Sequence, residues 1–443
     1  MGKSIFYINK IIYLFALCII HSTVKAQAPV KHISVQEAIS LSMDINKHIR
    51  NARLQTGIAK TKAGQLADEK VPEVGFHGNY MRLGNLVQYD RGLKDPVTYK
   101  TIHDKVDFTM EAKLPIYKGG KIQQMIKKGA QEVDLSVLKT AQTERQVRLQ
   151  IHELYLDIYK LMEMQRLVEE HIKEEQTRLE QVKSLKNNGL VTKNEILRAQ
   201  LQLSEQQMNL LSVKNDIEIS LHQLQLWLEL DENTAVTIDT PGLVKAAFSR
   251  ASVNKNLQLS YGQQDDIKIL KQEKSILETE RKIIKGNILP TVDLVGSYGL
   301  NYPNYYFFPP DPNWYHLGMA GVDINFSITK LFTNKKKVKM AAQELSLQDL
   351  RIEIAKEQVS QQVHTAVTKY NEYIDKIDIT EHAIRQATEN YRIVKQKYLN
   401  QLALITDMID ADNELLAAQF NASSTRIETQ KKWYELQYIT GSL

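Results

Sequence analysis

One cysteine in 443 residues leaves no partner for an intrachain disulfide, and that cysteine, Cys18, lies inside an N-terminal apolar run. Proline and glycine are scarce as well, at 10 and 19. That is too little turn material for the two or three compact domains the length could hold, so long helices are the economical home for the 43% apolar content. An excess of charge is also missing. The formal net charge is +5, and the first 26 residues carry three Lys and no acid, which leaves the remainder nearly neutral and gives no reason to invoke nucleic acid. The histidines are scattered without His-Glu-x-x-His spacing, and no glycine loop suited to phosphate appears. The expectation is therefore no enzyme, no catalytic residue, no metal and no cofactor.

What is present begins with an export signal. Lys3 and Lys10 precede the apolar run Ile11 to Ile20, and Val24-Lys25-Ala26 offers small residues where a signal peptidase reads, which predicts a signal peptide over 1–26. The ten-residue run falls short of the roughly 20 residues a helix needs to cross a bilayer. Cleavage after Ala26 removes Cys18, and with it any thiol chemistry.

The rest reads as one pattern written twice. Residues 34–70 are helix-forming up to Pro72; Gly75 to Tyr80 and a segment from Val106 read as strands around a polar loop over roughly 84–104. In the second of these strands Val106, Phe108, Met110, Ala112 and Leu114 alternate with Lys105, Asp107, Thr109, Glu111 and Lys113. Gly119-Gly120 lets strand turn into helix, and helix is expected from Lys121 to about Lys186, ~100 Å at ~1.5 Å per residue. Asn187-Asn188-Gly189 makes a turn, and a return helix runs from about Thr192 to Leu230. After an irregular connector over 231–241 the order recurs, with Pro72, Gly78 and Tyr80 opposite Pro290, Gly296 and Tyr298 at an offset of 218. Asn46-Lys47-His48-Ile49 is echoed by Asn254-Lys255-Asn256-Leu257, and Ile196 to Ala199 by Met408 to Ala411 at an offset of 212. These spacings predict an internal duplication, 27–230 with its strand hairpin at 73–115, and 242–443 with its hairpin at 290–328.

Two strands per repeat give four per chain, too few to close a barrel, and open sheet edges are not tolerated in hydrocarbon. Three chains would give twelve antiparallel strands, two only eight with a lumen filled by side chains, so a homotrimer is expected for a duct. Alternation puts Val106, Phe108, Met110, Ala112, Val292, Leu294, Ala320, Val322, Ile324 and Phe326 toward lipid. Asp107, Glu111, Asp293 and Asp323, with Asn325, then face the lumen. A half-buried soluble sheet would show the same alternation. The aromatic and proline-rich loop 301–315 fits either the headgroup level and external mouth or a loop packed on itself.

Leu114-Pro115-Ile116-Tyr117-Lys118-Gly119-Gly120, Asn188-Gly189-Leu190-Val191, and Tyr398 followed by Asp407-Met408-Ile409-Asp410-Ala411, set in the doubled layout, closely resemble the TolC-like outer membrane efflux protein family. The resemblance implies a mainly α chain with transmembrane β: a trimeric 12-stranded barrel in the outer membrane continued by a periplasmic α-helical coiled-coil tunnel. It implies a passive exit duct with a gated entrance, served by a periplasmic adaptor and an inner-membrane pump of RND or ABC type, in efflux or type I secretion. On that resemblance Asp407 and Asp410 form the entrance constriction, Glu195 contacts it, and the turns at Asn188, Gly189, Leu190, Asn400 and Gln401 face the adaptor. Two departures stand out. Ala403 replaces an arginine of the family's entrance latch, and Gln401 replaces a turn glycine. A periplasmic adaptor, itself exported with a helical hairpin, is the rival, but it would carry one hairpin flanked by strand-rich domains. A structural coiled coil of the envelope is the other, disfavoured by the strands.

Overall fold

The computed structural model describes residues 31–231, 234–239, 244, 247–307 and 309–443. The signal peptide, Cys18 and part of the connector lie outside them. Helices are α1 (Val35–Ile45), α2 (Lys47–Asp68), α3 (Lys121–Asn187), α4 (Lys193–Trp227), α5 (Val253–Gln263), α6 (Asp265–Gly286), α7 (Ile328–Leu399) and α8 (Ile405–Ile439). Strands are β1 (Lys31–Ile33), β2 (Glu73–Arg82), β3 (Leu86–Asp90), β4 (Lys94–Tyr99), β5 (Asp104–Lys118), β6 (Val236–Ile238), β7 (Thr291–Tyr302) and β8 (Tyr315–Asn325). Among the described residues no helix is long and apolar enough to cross a membrane. The chain divides into two compact units.

One unit holds residues up to Arg50, Glu144–Leu257 and Gln362–Leu443. A core there gathers Ile33, Val35, Ala38 and Ile49 with Val147, Ile151, Tyr155 and Ile158 of α3, Leu224 and Leu228, and Val236 and Ile238. The connector is not wholly irregular, because β6 pairs in parallel with β1. Tyr155, fully buried, explains the pairing: its Oη lies 2.7 Å from the Ile33 carbonyl and accepts the Asp239 N–H at 2.8 Å. Each short strand thus ends on the same hydroxyl, and burial pushes that phenol up to about 12. Ser34 starts α1 with a capping box, its Oγ accepting from Glu37 N at 3.2 Å while its own N–H donates to Glu37 at 2.8 Å.

The other unit holds Asn51–Thr143 and Gln258–Gln361, and its centre is a four-stranded antiparallel sheet in the order β2-β5-β7-β8. The polar loop expected over 84–104 contains a small hairpin instead, β3 on β4, turned at Arg91 and Gly92 with φ of 45° and 87°. Its strands are five and six residues long and exposed throughout, so no buried face wrote an alternation into the sequence. Gly119 and Gly120, at φ 65° and 71°, carry the chain from β5 into α3. A Cβ on Gly119 would lie 2.6 Å from the Gly286 carbonyl oxygen, so close approach as well as φ demands glycine.

The helix expected over 34–70 is two helices, broken at Asn46. Buried Asn46 accepts the His48 N–H on its Oδ1 at 2.9 Å, diverting the backbone from helical bonding. The second half breaks the same way at Gln264, whose Oε1 accepts Ile267 N–H at 3.3 Å. Gln264 therefore stands opposite Asn46, where the sequence comparison had put Asn254. The 11-residue α5 and 22-residue α6 repeat the lengths of α1 and α2, displaced by 218, and α4 and α8 are both 35 residues, displaced by 212.

Candidate functional site

Two regions carry the expected site residues, one in each unit. In the first, the turns α3–α4 and α7–α8 are built alike. Leu190 N–H donates to Leu185 O and Gly189 N–H to Lys186 O; Leu402 N–H donates to Lys397 O and Gln401 N–H to Tyr398 O. These are paired Schellman closures, each needing a left-handed residue, supplied by Gly189 at φ 75° and Gln401 at φ 62°. The missing glycine thus changes the cost of the second turn and not its backbone. Asn188, Leu190, Asn400 and Gln401 are exposed, and Leu402 and Leu404 stand 76% and 68% exposed beside them.

A core of Leu179, Val182, Ala199, Tyr398, Ile405 and Met408 holds these turns. Along α8 the spacing Ile405, Met408, Asp412 turns inward, which leaves Asp407 and Asp410 exposed together. Asp407 has a local task too, since Leu404 N–H donates to its Oδ2 at 2.9 Å and closes the start of α8. Glu195 accepts a hydrogen bond from Tyr398 Oη at 3.2 Å. A tyrosine therefore takes up Glu195 in a chain where Ala403 offers no donor. Burial, then the Glu195 carboxylate, pushes the Tyr398 phenol up to about 12, so it stays a donor at physiological pH.

One feature of this region was missed in the sequence. Arg178 of α3, 4% exposed, pairs with Glu175 at 2.6 Å and with Asp412 of α8, and also donates to Tyr391 Oη of α7 at 3.1 Å. His171 lies 3.6 Å from Glu175 and 3.7 Å from Asp412. The signal was available: Val168, His171, Glu175, Arg178 and Val182 recur at three- and four-residue spacing, so three polar residues occupy an apolar seam. Together His171, Glu175 and Asp412 could span a metal ion. Arg178 occupies one oxygen of each carboxylate and sets a fixed cation against any other.

The second region is the sheet. Register places Val74, Phe76 and Tyr80 of β2 beside Ala112, Met110 and Val106 of β5, and Leu294 of β7 beside Leu114 and Val322. That face is apolar and solvent-accessible, with Phe76 70% and Ile324 66% exposed. Asp107, Glu111, Asp293 and Asp323 share the opposite face, as the alternation predicted. Lys113 reaches Asp293 at 3.2 Å and Asp323 at 3.8 Å, and Lys118, returned to this face by the bulge at Pro115/Tyr117, reaches Asp293 at 2.7 Å. The alternation puts Lys113 on this side with the acids; Lys118, which strict alternation would put on the other face, arrives here only through the bulge. In the loop beyond β7, Tyr302 lies 5.4 Å from Trp314 and Tyr306 5.7 Å from Tyr315, so the aromatic loop packs in part on itself.

Residues 38–228 match the family described as outer membrane efflux protein. The fold is that of solved outer-membrane proteins. VceC of Vibrio cholerae superposes with a TM-score of 0.75 at 16% identity, covering 92% of this chain and 96% of that one. The open state of the MtrE outer membrane channel of Neisseria gonorrhoeae gives 0.72 at 15% identity, covering 95% and 93%. The CmeC outer membrane channel of Campylobacter jejuni gives 0.73 at 12%, covering 92% and 85%. Among curated proteins no sequence matches significantly. The resemblance read from the sequence is borne out: residues 38–228 match that family, and the fold is that of outer-membrane channels over nearly the whole length.

Proposed function

We propose that this chain is the outer-membrane exit duct of a tripartite efflux or type I secretion system. The observation that carries it is the four-stranded sheet, open at β2 and β8 and apolar on one accessible face, running into helices of 67 and 72 residues. Open edges cannot sit in hydrocarbon, because every unpaired backbone group there costs several kcal/mol. Pairing β2 of one copy with β8 of the next satisfies them, and three copies make a twelve-stranded barrel with room for a lumen. The apolar face then meets lipid, and Asp107, Glu111, Asp293 and Asp323 with Lys113 and Lys118 line the interior.

The matched helix lengths and offsets support an internal duplication. Three chains of two repeats present six similar helical hairpins to a tunnel in the periplasm, whose turns at Gly189 and Gln401 receive the adaptor. Asp407 and Asp410, exposed together near the second turn, are the residues we assign to the entrance constriction. The inner-membrane pump supplies energy and selects cargo; the duct itself is passive and not an enzyme. Fractionation tests this: the chain should resist extraction without detergent and migrate as a trimer that collapses to monomer on heating. A monomer released by buffer alone would reject the duct.

A further inference from the structure

The buried cluster on α3 has a charge that does not balance without a proton. Arg178 brings one positive charge to two carboxylates, Glu175 and Asp412, at exposures of 4%, 0% and 1%. Glu175 Oε2 and His171 Nε2 are both buried without a hydrogen-bond partner. With both acids ionised and His171 neutral, a net negative charge would sit where water does not reach, against a desolvation cost of several kcal/mol per ion. One added proton on a carboxylate restores neutrality and supplies a donor. A divalent cation does not serve as well, since Arg178 already holds an oxygen of each carboxylate and would repel it.

We propose that Glu175 carries this proton and that the protonated cluster clasps α3 of the first repeat to α7 and α8 of the second, so that losing the proton loosens the packing beside Asp407 and Asp410. The groups facing it are few. From α3 come His171, Arg178 and Glu174; from α8, Asp412; from α7, Tyr391, whose ring also carries Lys395 at 5.3 Å, and Tyr398, which feels Arg178 and donates to Glu195 of α4. Asp412 follows Asp410 by two residues on one helix, so a shift of α8 at the clasp displaces the exposed pair.

Burial foremost, opposed by Arg178 and aided by Asp412, pushes the Glu175 carboxyl up to about 7 from its ordinary 4.5. The packed state therefore binds more protons than the loosened one between those values. Its advantage is full at pH 4.5, declines as pH rises, and stays at the lower level above about 7. The upper bound on the change is about 300-fold in the packed-to-loosened ratio. His171 works in the opposite sense. Burial lowers its pKa, so it weakens packing as pH falls below its ordinary 6.5, and the two groups have to be separated by substitution.

The test compares full-length wild type, Glu175→Gln and His171→Asn in detergent. Thermal unfolding is followed from pH 5 to 8.5, and open occupancy in planar bilayers over the same range. Glu175→Gln keeps the shape and cannot ionise. It should gain at least tenfold in stability relative to wild type between pH 5 and 8.5, and should lose wild type's rise in open occupancy near pH 7. His171→Asn should gain relative to wild type at the acidic end instead. If Glu175→Gln does not fold, Glu175→Leu takes its place. A Glu175 variant whose difference from wild type is the same at both pH values overturns the clasp, as does stabilisation of wild type, but not His171→Asn, by zinc at pH 7. The inference uses the duct assignment only for the conductance arm. A non-conducting chain that kept the pH-dependent stability difference would reject the duct and retain the clasp.

Discussion

Replacing Arg178 by Met removes the single cation from two buried acids, and its cost can be worked from the cluster. Arg178 Nη1 lies 2.6 Å from Glu175, Nη2 is paired with Asp412 and 3.1 Å from Tyr391 Oη, and neither carboxylate exceeds 2% exposure. Breaking a buried ion pair by removing one partner costs roughly 3–5 kcal/mol, because the stranded charge stays desolvated. At pH 6 Glu175 already carries its proton and only Asp412 is stranded, whereas at pH 8.5 both acids are charged, so the loss should be near the lower figure at pH 6 and near the upper at pH 8.5. The assay is chemical unfolding of the detergent-solubilised protein at both values. A triple apolar replacement, Arg178→Met with Glu175→Leu and Asp412→Leu, leaves no charge uncompensated and should recover most of the loss. A loss below about 1 kcal/mol for Arg178→Met at both pH values would refute the reasoning, since it would mean that water reaches the acids.

Gln401→Gly should stabilise by about 0.5–1 kcal/mol, by relieving a left-handed φ at the second turn, which thermal unfolding would register. Gly119→Ala should cost more than about 2 kcal/mol, since it adds the strain of a positive φ to a close approach against backbone; a fall in folded yield and melting temperature would report it. Buried His152 stacks on Tyr434 at 3.7 Å, and burial followed by Arg148 lowers its pKa to about 4. Its contribution is intact above 6.5 and lost as pH falls toward 4, up to about 3 kcal/mol, so His152→Phe should flatten stability across that interval in pH-dependent melting. Asp407→Asn with Asp410→Asn should weaken cation preference in bilayer reversal potentials, and an unchanged preference would remove these residues from the constriction.

Much of the architecture was legible because it is periodic. The strand at Val106 and the long helix from Lys121 announced themselves by spacing, and both were found within a few residues of their expected ends. The sheet faces followed from the alternation within the strands, clearest in β5, since a strand exposes its two sides strictly in turn. What escaped was held by tertiary contact. The β1–β6 pairing depends on Tyr155, more than 80 residues from Asp239, and nothing local in Lys31–Ile33 foretells it. The break at Gln264 is not foretold, because the Asn46 motif is echoed ten residues earlier, at Asn254, and glutamine is no usual helix stop. It acts here by bonding its own backbone while buried. The cluster at Arg178 was overlooked for another reason: charged residues on a long helix are usually solvated, and only the three- and four-residue stripe running through Val168 and Val182 marks these as inward.

The central claim is that copies of this chain close a barrel through the β2 and β8 edges. Planar-bilayer recording on the purified, detergent-extracted trimer tests it most directly. Stepwise conductance that requires the trimer and is abolished by heating it to monomers is the result expected. Trimers that insert and conduct nothing, with the entrance constriction neutralised by Asp407→Asn and Asp410→Asn, would contradict it.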